Sequence, residues 1–555
     1  MLNSKVEREG FFENRFAKWG AIAALILAVY GQALWFDFAW DDRLFIIDNK
    51  EIKSLSNIPS FFGSSMVDLY RPLRTTLYAV TYSLFGLNPM LYHAFAILLH
   101  IAMSIAVLRL LETLGLGSRG AFFGALVFAL HAVHIEKFIF ITSGFDIPGD
   151  ICLTIALVLY LEYRNGINGR SMYASLGMFA LGLLFSETAM TFPFLVVLIE
   201  LVLPLPPWKE RREIKTFAVL LLSIVVVYMA VRTGVVGKVQ RLHWTPDYAR
   251  LYMTMFVVLV HYIGLLFFPY QLTARPPIEQ FEHPVNSLTL ISMLIIATLV
   301  ILAWLVRKEK PFISLGILWS FVVLLPNMNI IPTQTLIAER YLYNPSVGFC
   351  IMIAALLQDG KRGREMVAAG FIVFLAVLSL LQTPNWKNNF VLWSNALEVN
   401  PKENFALYNV ATHYYEQGDK ENAKKYFRMI SSPEMGFYMA QAHLAGFMLE
   451  EGDIGGAVTR LSGLLRIAPF EKEVNKKYIV AKCFEDKKGW EKDGEIVLKR
   501  LGNEFPFETM GDCYFLKGEF EKSYNVLQYA RKLDPNKKSV NTKLSILEQE
   551  MAKGK

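Results

Sequence analysis

Long apolar segments constrain the fold of this chain more than any other feature. We find eleven of them between residues 17 and 382 of the 555-residue chain, and a helix crosses a bilayer with about 20 mainly apolar residues. Charged residues become frequent only after residue 383. We therefore predict an all-α chain with a polytopic membrane domain at 1–383 and a soluble domain at 384–555. The predicted spans are 17–36, 91–112, 120–136, 146–162, 171–186, 189–204, 216–233, 287–306, 311–326, 345–358 and 366–382.

The basic residues predict how these spans are oriented. Lysines and arginines precede the first span and cluster in short loops at 208–215, 307–310 and 359–365. By the positive-inside rule, the N-terminus and these loops are cytoplasmic and the loop 37–90 is external. The first span has no small-residue cleavage site, which is typical of an uncleaved anchor. Because the net charge of +7 is spread over such loops, we predict no nucleic-acid partner.

A twelfth apolar stretch, 251–268, breaks this alternation if it crosses the bilayer. We interpret it as a re-entrant or interfacial helix, or as half of an unresolved pair of spans. Eleven crossings then place the C-terminal domain outside the cytoplasm. The chain is thus expected to be an integral multi-pass protein that needs a lipid bilayer as its solvent.

The C-terminal domain has the pattern of tetratricopeptide (TPR) repeats. Gly418 and Gly452 stand 34 residues apart, which is the TPR period, and Ala423 and Ala457 occupy small-residue positions of that pattern. Stacked helix pairs of this kind form a superhelix with a concave face. We interpret that face as a groove for an extended acceptor polypeptide or a partner; a spacer or an oligomerisation cap is the alternative.

Two adjacent acids follow the first span directly, in the sequence Trp40-Asp41-Asp42-Arg43. Two carboxylates at a membrane exit cannot both face apolar surroundings without cost. One is a candidate general base toward an acceptor hydroxyl, and the other is a candidate ligand for the acceptor or a cation. A solvated acid pair in a loop explains the same residues without catalysis.

Arg71 and Arg74 lie near the start of the second predicted span, in Tyr70-Arg-Pro-Leu-Arg74. Guanidinium groups suit the geometry of phosphate, so both are candidate ligands for a phosphate or diphosphate head group. Snorkelling of both side chains to lipid phosphates explains their position equally well.

Arg340 is the main cation of the segment 338–346, which precedes the tenth predicted span on its outer side. We predict that it meets a phosphate in a cavity lined by Tyr341 and Tyr343. An ion pair of Arg340 with Glu339 or with an aspartate is the alternative.

Histidines recur at helical spacing. His93 and His100 share one face of the second span, and His131 and His134 stand at i and i+3 beside Glu136. A divalent metal shared by the second pair is one hypothesis, and hydrogen bonding around a substrate cavity is the other.

Two further acids lie where helices are expected to begin. Asp146 and Glu187 are candidate members of the same cavity, and helix capping explains both without catalysis.

The order of these motifs resembles one known family. Trp-Asp-Asp-Arg, Tyr-Arg-Pro-Leu, Tyr-His, His-x-x-His-x-Glu, Ser-Glu-Thr, Glu-Arg-Tyr-Leu-Tyr and Pro-Ser-Val-Gly-Phe occur in series before Asn385-Trp386 and the repeats. The chain resembles the transmembrane-and-TPR-containing O-mannosyltransferases, a branch of the GT-C glycosyltransferase superfamily related to protein O-mannosyltransferases. The resemblance covers nearly the whole chain. It departs from the family pattern at Ala132 and Phe145, and no lysine precedes Glu187.

The resemblance implies a GT-C membrane enzyme that moves mannose or another hexose from a polyprenyl-phosphate carrier to Ser/Thr hydroxyls of extracytoplasmic proteins. It implies that Asp41 is the catalytic acid residue of the family, Asp42 its neighbour and Arg340 the residue that meets the lipid phosphate. An inverting displacement with Asp41 as general base follows as our hypothesis, and no cofactor is required by it, although a divalent metal stays open.

Two alternatives stay open on the sequence. One is a GT-C enzyme with a glycan or lipid acceptor, and the other is a non-catalytic membrane scaffold built on the repeats. The layout, with few cysteines and a TPR tail, favours a bacterial inner membrane with the repeats in the periplasm, while an endoplasmic reticulum location is also compatible.

Overall fold

The computed structural model describes residues 11–67, 69–208, 211–237, 247–278, 283, 285–330, 335–431, 436–485, 490–501, 505–535 and 537–553. Within these residues all regular structure is helical, and the nearest approach to a strand is a single bridge between Met66 and Leu69. The all-α class is therefore confirmed. The chain divides into two compact units, residues 1–399 and 400–555, and we describe each by itself.

The first unit contains seventeen α-helices within the described residues. They are α1 (Arg15–Tyr30), α2 (Ile58–Phe61), α3 (Pro72–Phe85), α4 (Pro89–Thr113), α5 (Ser118–Leu130), α6 (Ile135–Phe138), α7 (Ile141–Gly144), α8 (Ile147–Arg164), α9 (Ser171–Phe185), α10 (Phe192–Val202), α11 (Arg211–Val236), α12 (Tyr248–Phe267), α13 (Ser287–Leu305), α14 (Pro311–Leu324), α15 (Ser346–Leu356), α16 (Arg362–Gln382) and α17 (Asn389–Val399).

Seven helical segments of the described residues are long and apolar enough to cross a membrane. They are Arg15–Trp35, Pro89–Thr113, Ile141–Arg164, Arg211–Val236, Tyr248–Phe267, Ser287–Lys308 and Arg362–Trp386. An eighth arises if α5 and the helical segment Ala132–Phe138, which meet at an angle of 52°, form one broken span. The chain is thus an integral multi-pass membrane protein.

The remaining predicted spans correspond to shorter helices. Three of them, Ser171–Phe185, Pro311–Asn327 and Ser346–Leu356, are apolar but only 10–17 residues long. The span predicted at 189–204 contains α10, which has 11 residues. The stretch that we interpreted as a re-entrant or interfacial helix, or as half of an unresolved pair of spans, is α12, one continuous helix of 20 residues with the length of a span.

The break after α5 has a local cause. His131 has an extended backbone, with φ −76° and ψ 123°, and its Nδ1 atom accepts the N–H of Val133 at 3.4 Å. The side chain therefore caps the turn that follows, and the chain changes direction at this point. As a result, His134 and Glu136 enter the interior of the unit, where both are fully buried.

Glycines allow α14 and α15 to approach closely on either side of the segment 339–345. A Cβ atom at Gly316 would lie 2.4 Å from the carbonyl oxygen of Gly348, and one at Gly348 would lie 2.3 Å from the carbonyl oxygen of Gly316. Small residues commonly permit such backbone contact between membrane helices. This contact fixes the two helices between which the Glu339-Arg340 segment runs.

The second unit consists of helices that pack against their neighbours along the chain. Turn glycines Gly418, Gly452 and Gly518 adopt left-handed backbone angles, with φ of 80°, 86° and 74°. The TPR solenoid itself stays a prediction. The helices described here are α18 (Asn404–Glu416), α19 (Lys420–Met429), α20 (Phe437–Glu450), α21 (Ile454–Ile467), α22 (Lys472–Phe484), α23 (Trp490–Leu501), α24 (Phe505–Leu516), α25 (Phe520–Leu533) and α26 (Lys538–Lys553).

Candidate functional site

The two adjacent acids lie in a tight turn, Ala39–Asp42, which we call the Asp turn. The N–H of Asp42 donates to the carbonyl oxygen of Ala39 at 3.1 Å, which closes the turn. Trp40 has φ +56°, in the left-handed region that bulky residues seldom adopt. Such a conformation costs on the order of 1–3 kcal/mol and persists only where the surroundings hold it.

Asp42 is buried and fully hydrogen-bonded. Its Oδ1 atom accepts the N–H and the hydroxyl of Thr142 at 2.8 and 2.6 Å, and its Oδ2 atom accepts the N–H of Ala39 at 3.0 Å. Burial raises the pKa of Asp42 to about 7, although these hydrogen bonds lower it, and the charge of Asp41 raises it further. Asp42 therefore joins the Asp turn to α7 and has little capacity left for a substrate.

Asp41 has the opposite environment. It is half-buried, and its carboxylate accepts no hydrogen bond from the described residues. Burial raises its pKa above the ordinary value, while the positive charges of Arg340 and Arg275 act to lower it. A carboxylate with a raised pKa and free acceptor capacity has the properties of a general base.

Arg340 pairs with Glu136 and not with Glu339 or an aspartate, the partners that we had considered. Glu136 accepts the Arg340 backbone N–H at 3.0 Å and is also bonded by the guanidinium group. The guanidinium carbon lies 5.5 Å from the ring centre of Trp40 and 5.2 Å from that of Tyr341. Arg340 is thus oriented by a buried acid and lies over the Asp turn.

Glu339 has its hydrogen bond in another part of the chain. Its Oε1 atom accepts the N–H of Thr273 at 2.6 Å, in the loop after α12 that also carries Arg275. Burial and the charge of Glu136 raise the pKa of Glu339 well above its ordinary value. The acid therefore anchors a loop, and it places Arg275 on the same side of the site as Arg340.

The helix α12 takes part in building the site, which its sequence did not indicate. The hydroxyl of Tyr262 donates to the carbonyl oxygen of Ala338 at 3.0 Å and accepts the N–H of the same residue at 3.1 Å. The carbonyl oxygen of Leu266 lies 3.0 Å from Nε2 of His131. These contacts join α12 to the residue before Glu339 and to the turn after α5.

Arg71 and Arg74 are paired with acids, in a group that we call the arginine cluster: Arg71, Arg74, Asp146 and Glu187. Arg71 donates from Nε to Glu187 at 2.6 Å and from Nη1 to Asp146 at 2.7 Å. Arg74 donates to Asp146 at 3.2 Å, and its Nε and Nη2 atoms are buried without a hydrogen-bond partner. The four formal charges cancel, so this cluster is a weaker anion site than its two arginines suggested.

Two histidines, His100 and His134, form a buried hydrogen-bonded network with Tyr343 and Ser346, and the ring of His131 lies 5.7 Å from that of His134. His100 contacts the Tyr343 hydroxyl at 2.9 Å and the carbonyl oxygen of Ala129 at 3.1 Å. His134 contacts the carbonyl oxygen of Phe128 at 2.8 Å and the Ser346 hydroxyl at 2.9 Å. We call His100, His131, His134, Tyr343 and Ser346 the histidine network. Among the described residues no group of three His, Cys, Asp or Glu side chains is arranged to hold a metal.

His93 lies apart from that network. It is buried against Phe36, and its Nε2 atom is 3.4 Å from the carbonyl oxygen of Asp37, two residues before the Asp turn. Its Nδ1 atom is buried without a partner. The residue therefore contacts the base of the Asp turn and not the histidine network.

An aromatic cluster next to the Asp turn was missed by the sequence interpretation. Trp40 stacks on Phe140 at 5.2 Å between ring centres, Phe140 stacks on Trp386 at 5.7 Å, and Trp393 meets Trp40 edge-on at 5.4 Å. Asn385-Trp386 had been noted only as a motif before the soluble region. A tryptophan pair seven residues apart near a membrane exit was the available signal.

An apolar groove lies between α10 and α11, beside the arginine cluster. It has a volume of about 460 Å³ and is lined by Met190, Pro193, Phe194, Ala218, Leu221, Leu222, Val225 and Met229. Met190 belongs to the 3₁₀ turn that begins with Glu187, and Tyr228, next to Met229, is buried 6.3 Å from the ring of Tyr70. The groove is thus lined by a residue of the same 3₁₀ turn that carries Glu187.

The chain was compared with known proteins. No protein-family model matches it. It is 23% identical over 460 residues to protein O-mannosyl-transferase TMTC3 of Mus musculus, 23% identical over 432 residues to protein O-mannosyl-transferase F38B6.6 of Caenorhabditis elegans, and 23% identical over 470 residues to protein O-mannosyl-transferase TMTC4 of Mus musculus. Its relatives are TMTC-family protein O-mannosyl-transferases. The resemblance drawn from the motif series is therefore confirmed.

These alignments cover 73%, 73% and 71% of the chain and 50%, 61% and 63% of the respective relatives. The chain thus spans between half and two thirds of the length of the relatives that it matches. All three relatives are animal proteins, so they give no support to the predicted bacterial inner membrane.

Proposed function

We propose that this protein is a membrane glycosyltransferase that moves mannose or another hexose from a polyprenyl-phosphate carrier to Ser/Thr hydroxyls of extracytoplasmic proteins. One observation carries the proposal. Asp41 has a raised pKa and a carboxylate with no hydrogen-bond partner among the described residues, and it faces Arg340 while its neighbour Asp42 is saturated. The printed names of the relatives favour the same reaction class.

The arrangement is suited to a single inverting displacement. The hydroxyl oxygen of the acceptor attacks the anomeric carbon while the bond from that carbon to the phosphate oxygen breaks. Asp41 takes the hydroxyl proton, and polyprenyl phosphate leaves with its new negative charge next to the guanidinium of Arg340. Asp42 keeps the turn in place through Thr142 and adds negative charge beside the base.

Two groups of cations compete for the phosphate of the donor. Arg340 is accompanied by Arg275 and opposed by one acid in direct contact, Glu136. The arginine cluster is internally neutral. We propose Arg340 as the main phosphate ligand because it lies next to Asp41, the proposed base, whereas Arg71 and Arg74 are ion-paired with acids outside the Asp turn. Arg71 and Arg74 have a supporting role.

The apolar groove supports a lipid-linked donor. An isoprenoid chain is hydrocarbon, and the groove offers a hydrocarbon surface that includes Met190, in the same 3₁₀ turn as Glu187, the partner of Arg71. The Tyr78 hydroxyl, which donates to the carbonyl oxygen of Thr142 at 2.9 Å, joins α3 of the arginine cluster to the residue that binds Asp42. A lipid tail in the groove therefore places its head group within a continuous polar region that reaches the Asp turn.

We propose that the site faces the non-cytoplasmic side, with the N-terminus cytoplasmic and the second unit outside. The basic loops support this orientation. The second unit, in this proposal a TPR array, guides an extended acceptor polypeptide along its concave face. A bacterial inner membrane or an endoplasmic reticulum membrane fits the orientation.

The experiment uses the full chain in lipid nanodiscs. It receives a polyprenyl-phosphate mannose and a peptide rich in serine and threonine, and mass spectrometry measures the hexose added to the peptide. We expect transfer by the unaltered chain and loss of transfer in Asp41→Asn. Transfer to a lipid or glycan in place of the peptide points to the alternative acceptor, and an equal result for the two chains removes Asp41 from the mechanism.

A further inference from the structure

The first turn of α17 is bonded to the Asp turn. The Oδ1 atom of Asn389 accepts the backbone N–H of Trp40 at 2.7 Å. Two residues earlier, the carbonyl oxygen of Lys387 accepts the N–H of Asp37 at 2.9 Å. The segment that follows the last candidate span therefore contacts the proposed catalytic loop at two points through hydrogen bonds.

The bond from Asn389 lies at the strained point of the turn. Trp40 is the second residue of the Ala39–Asp42 turn, and a positive φ at this position is normally supplied by glycine, asparagine or aspartate. The angle φ is the rotation about the bond that joins the amide nitrogen to Cα. An acceptor that fixes the Trp40 N–H therefore restrains φ at this residue. Without that acceptor, we expect φ of Trp40 to return to a negative value.

The two carboxylates diverge directly after this residue. Asp42 enters the protein and binds Thr142, while Asp41 is left facing Arg340. A relaxed φ at Trp40 turns the following backbone as one piece, so it changes the direction of Asp41 relative to Arg340. The indole of Trp40 is held separately, by Phe140 and Trp393.

We propose that Asn389 is a positioning residue that holds Trp40 in its left-handed conformation and so aims the base Asp41. This role rests on the proposed transferase function, and it assigns part of the site to the segment that leads into the second unit. A second bond agrees with it: Asn395, also in α17, donates from Nδ2 to the carbonyl oxygen of Leu272 at 3.1 Å, in the loop that carries Arg275. The helix α17 thus holds both the base and a nearby cation loop.

The test compares three single variants of the full chain in nanodiscs. Asn389 is exposed, so Asn389→Ala removes the acceptor with little loss of packing. Asn389→Asp keeps an acceptor oxygen at the same reach. Lys387→Ala is the matched control, because Lys387 is exposed and meets the loop only through its backbone.

Two readouts are measured at pH 8. For Asn389→Ala we expect kcat to fall about 10- to 100-fold with the KM for the donor within about twofold, since a small misplacement of a reacting group has effects of this size. Hydrogen exchange of the Trp40 amide should be at least about tenfold faster, with protection elsewhere in the unit unchanged. Asn389→Asp should restore most of both values, and Lys387→Ala should equal the unaltered chain.

The outcomes separate this role from the proposed function. Faster exchange with unchanged kcat, or unchanged exchange, overturns the positioning role while transfer by the unaltered chain still supports the function. A fall in kcat that Asn389→Asp does not restore also overturns it. If the unaltered chain transfers no sugar, the proposed function fails, and the positioning role fails with it; that result is read from the unaltered chain alone.

Discussion

The Asp turn and the histidine network are both polar groups within a largely apolar unit, but their atoms are satisfied differently. In the histidine network both ring nitrogens of His100 and of His134 have partners, and all five members are fully or nearly fully buried. In the Asp turn Asp42 is saturated, whereas the carboxylate of Asp41 is left half-buried without a hydrogen bond from the described residues.

Polar residues with unused hydrogen-bonding capacity are the functional candidates in this unit. Residue type and membrane depth favoured the histidines and the Asp pair alike, because polar residues in a membrane domain are costly. Unused hydrogen-bonding capacity distinguishes them. From this comparison we expect substitutions at the Asp turn to change the rate of transfer, and substitutions in the histidine network to change the free energy of unfolding.

The largest effect is expected for Asp41→Asn. A general base contributes about 10²- to 10⁴-fold to a rate, so sugar transfer to the peptide should fall by that factor. The free energy of unfolding should stay within about 0.5 kcal/mol, because the lost charge makes no hydrogen bond among the described residues and asparagine has the same shape. Thermal unfolding and the peptide assay measure the two quantities on one preparation.

The matched control for this prediction is Asp42→Asn. An asparagine has only one acceptor oxygen, so it cannot accept the hydrogen bonds of both Thr142 and Ala39. The free energy of unfolding should therefore fall together with transfer. If Asp41→Asn loses stability as Asp42→Asn does, the contrast drawn between the two acids is wrong.

The next effect concerns Arg340. Arg340→Gln alone leaves Glu136 as a buried unpaired charge, which costs about 3–5 kcal/mol. The double variant Arg340→Gln with Glu136→Gln avoids this cost, so its stability should recover while transfer stays about 10²- to 10³-fold low. Donor transfer and thermal unfolding are measured for both variants.

The arginine cluster provides a matched pair for comparison. Arg71→Gln with Glu187→Gln removes an equally direct ion pair, and we expect transfer to remain within about tenfold, since that cluster is neutral as a whole. A greater loss here than in the Arg340 double variant would make the arginine cluster the main phosphate site.

The fold class and the presence of a membrane domain could be predicted because hydropathy acts over long windows. The geometry of individual helices could not. Segments such as α9, α14 and α15 are apolar but short, and their length depends on packing. The role of α12 was missed because we judged this segment only by whether it kept the alternation of cytoplasmic and external loops. Its contacts through Tyr262 and Leu266 depend on tertiary structure.

The sequence allowed us to predict which residues belong to the candidate site. It did not allow us to predict which of them form ion pairs or hydrogen bonds with each other. Asp41 and Arg340 lie close enough for their charges to interact, and the basic loops had predicted both on one side of the membrane. The partner of Arg340 is Glu136, 204 residues earlier in the chain, a pairing that no local pattern specifies. Asn389 and Arg275 were missed for the same reason, since each acts on the Asp turn from a distant segment.

A moderate effect, on stability alone, is expected in the histidine network. His134→Phe keeps the ring but leaves the carbonyl oxygen of Phe128 and the hydroxyl of Ser346 with one partner fewer, at a cost of about 1–3 kcal/mol. Transfer per folded molecule should stay within about threefold. His261→Phe, at a partly exposed histidine of α12, is the control and should be close to neutral. A rate loss at preserved stability would place His134 in the reaction.

The smallest effect is expected in the pH dependence of transfer, which tests the role of the hydrogen-bonded Asp42. Its pKa is near 7, and Asp41 interacts with it, so the two carboxylates titrate as a pair. Protonation of Asp42 removes a negative charge beside Asp41 and makes Asp41 a weaker base. Transfer should therefore fall as the pH drops through about 7.

Thr142→Val should shift this pH dependence in a direction that can be stated in advance. The Thr142 hydroxyl donates to Oδ1 of Asp42 and stabilises the charged form, so its removal should raise the apparent pKa of the acid limb by about 0.5 to 1 unit, toward higher pH. Thr142→Ser keeps the hydroxyl and should leave the limb in place. The measurement is the pH dependence of transfer at saturating donor. If the hydrogen bonds to Asp42 stabilise its charged form, the apparent pKa on the low-pH side of the profile must rise in Thr142→Val. An apparent pKa that stays the same or falls would show that Asp42 does not control the charge at the Asp turn.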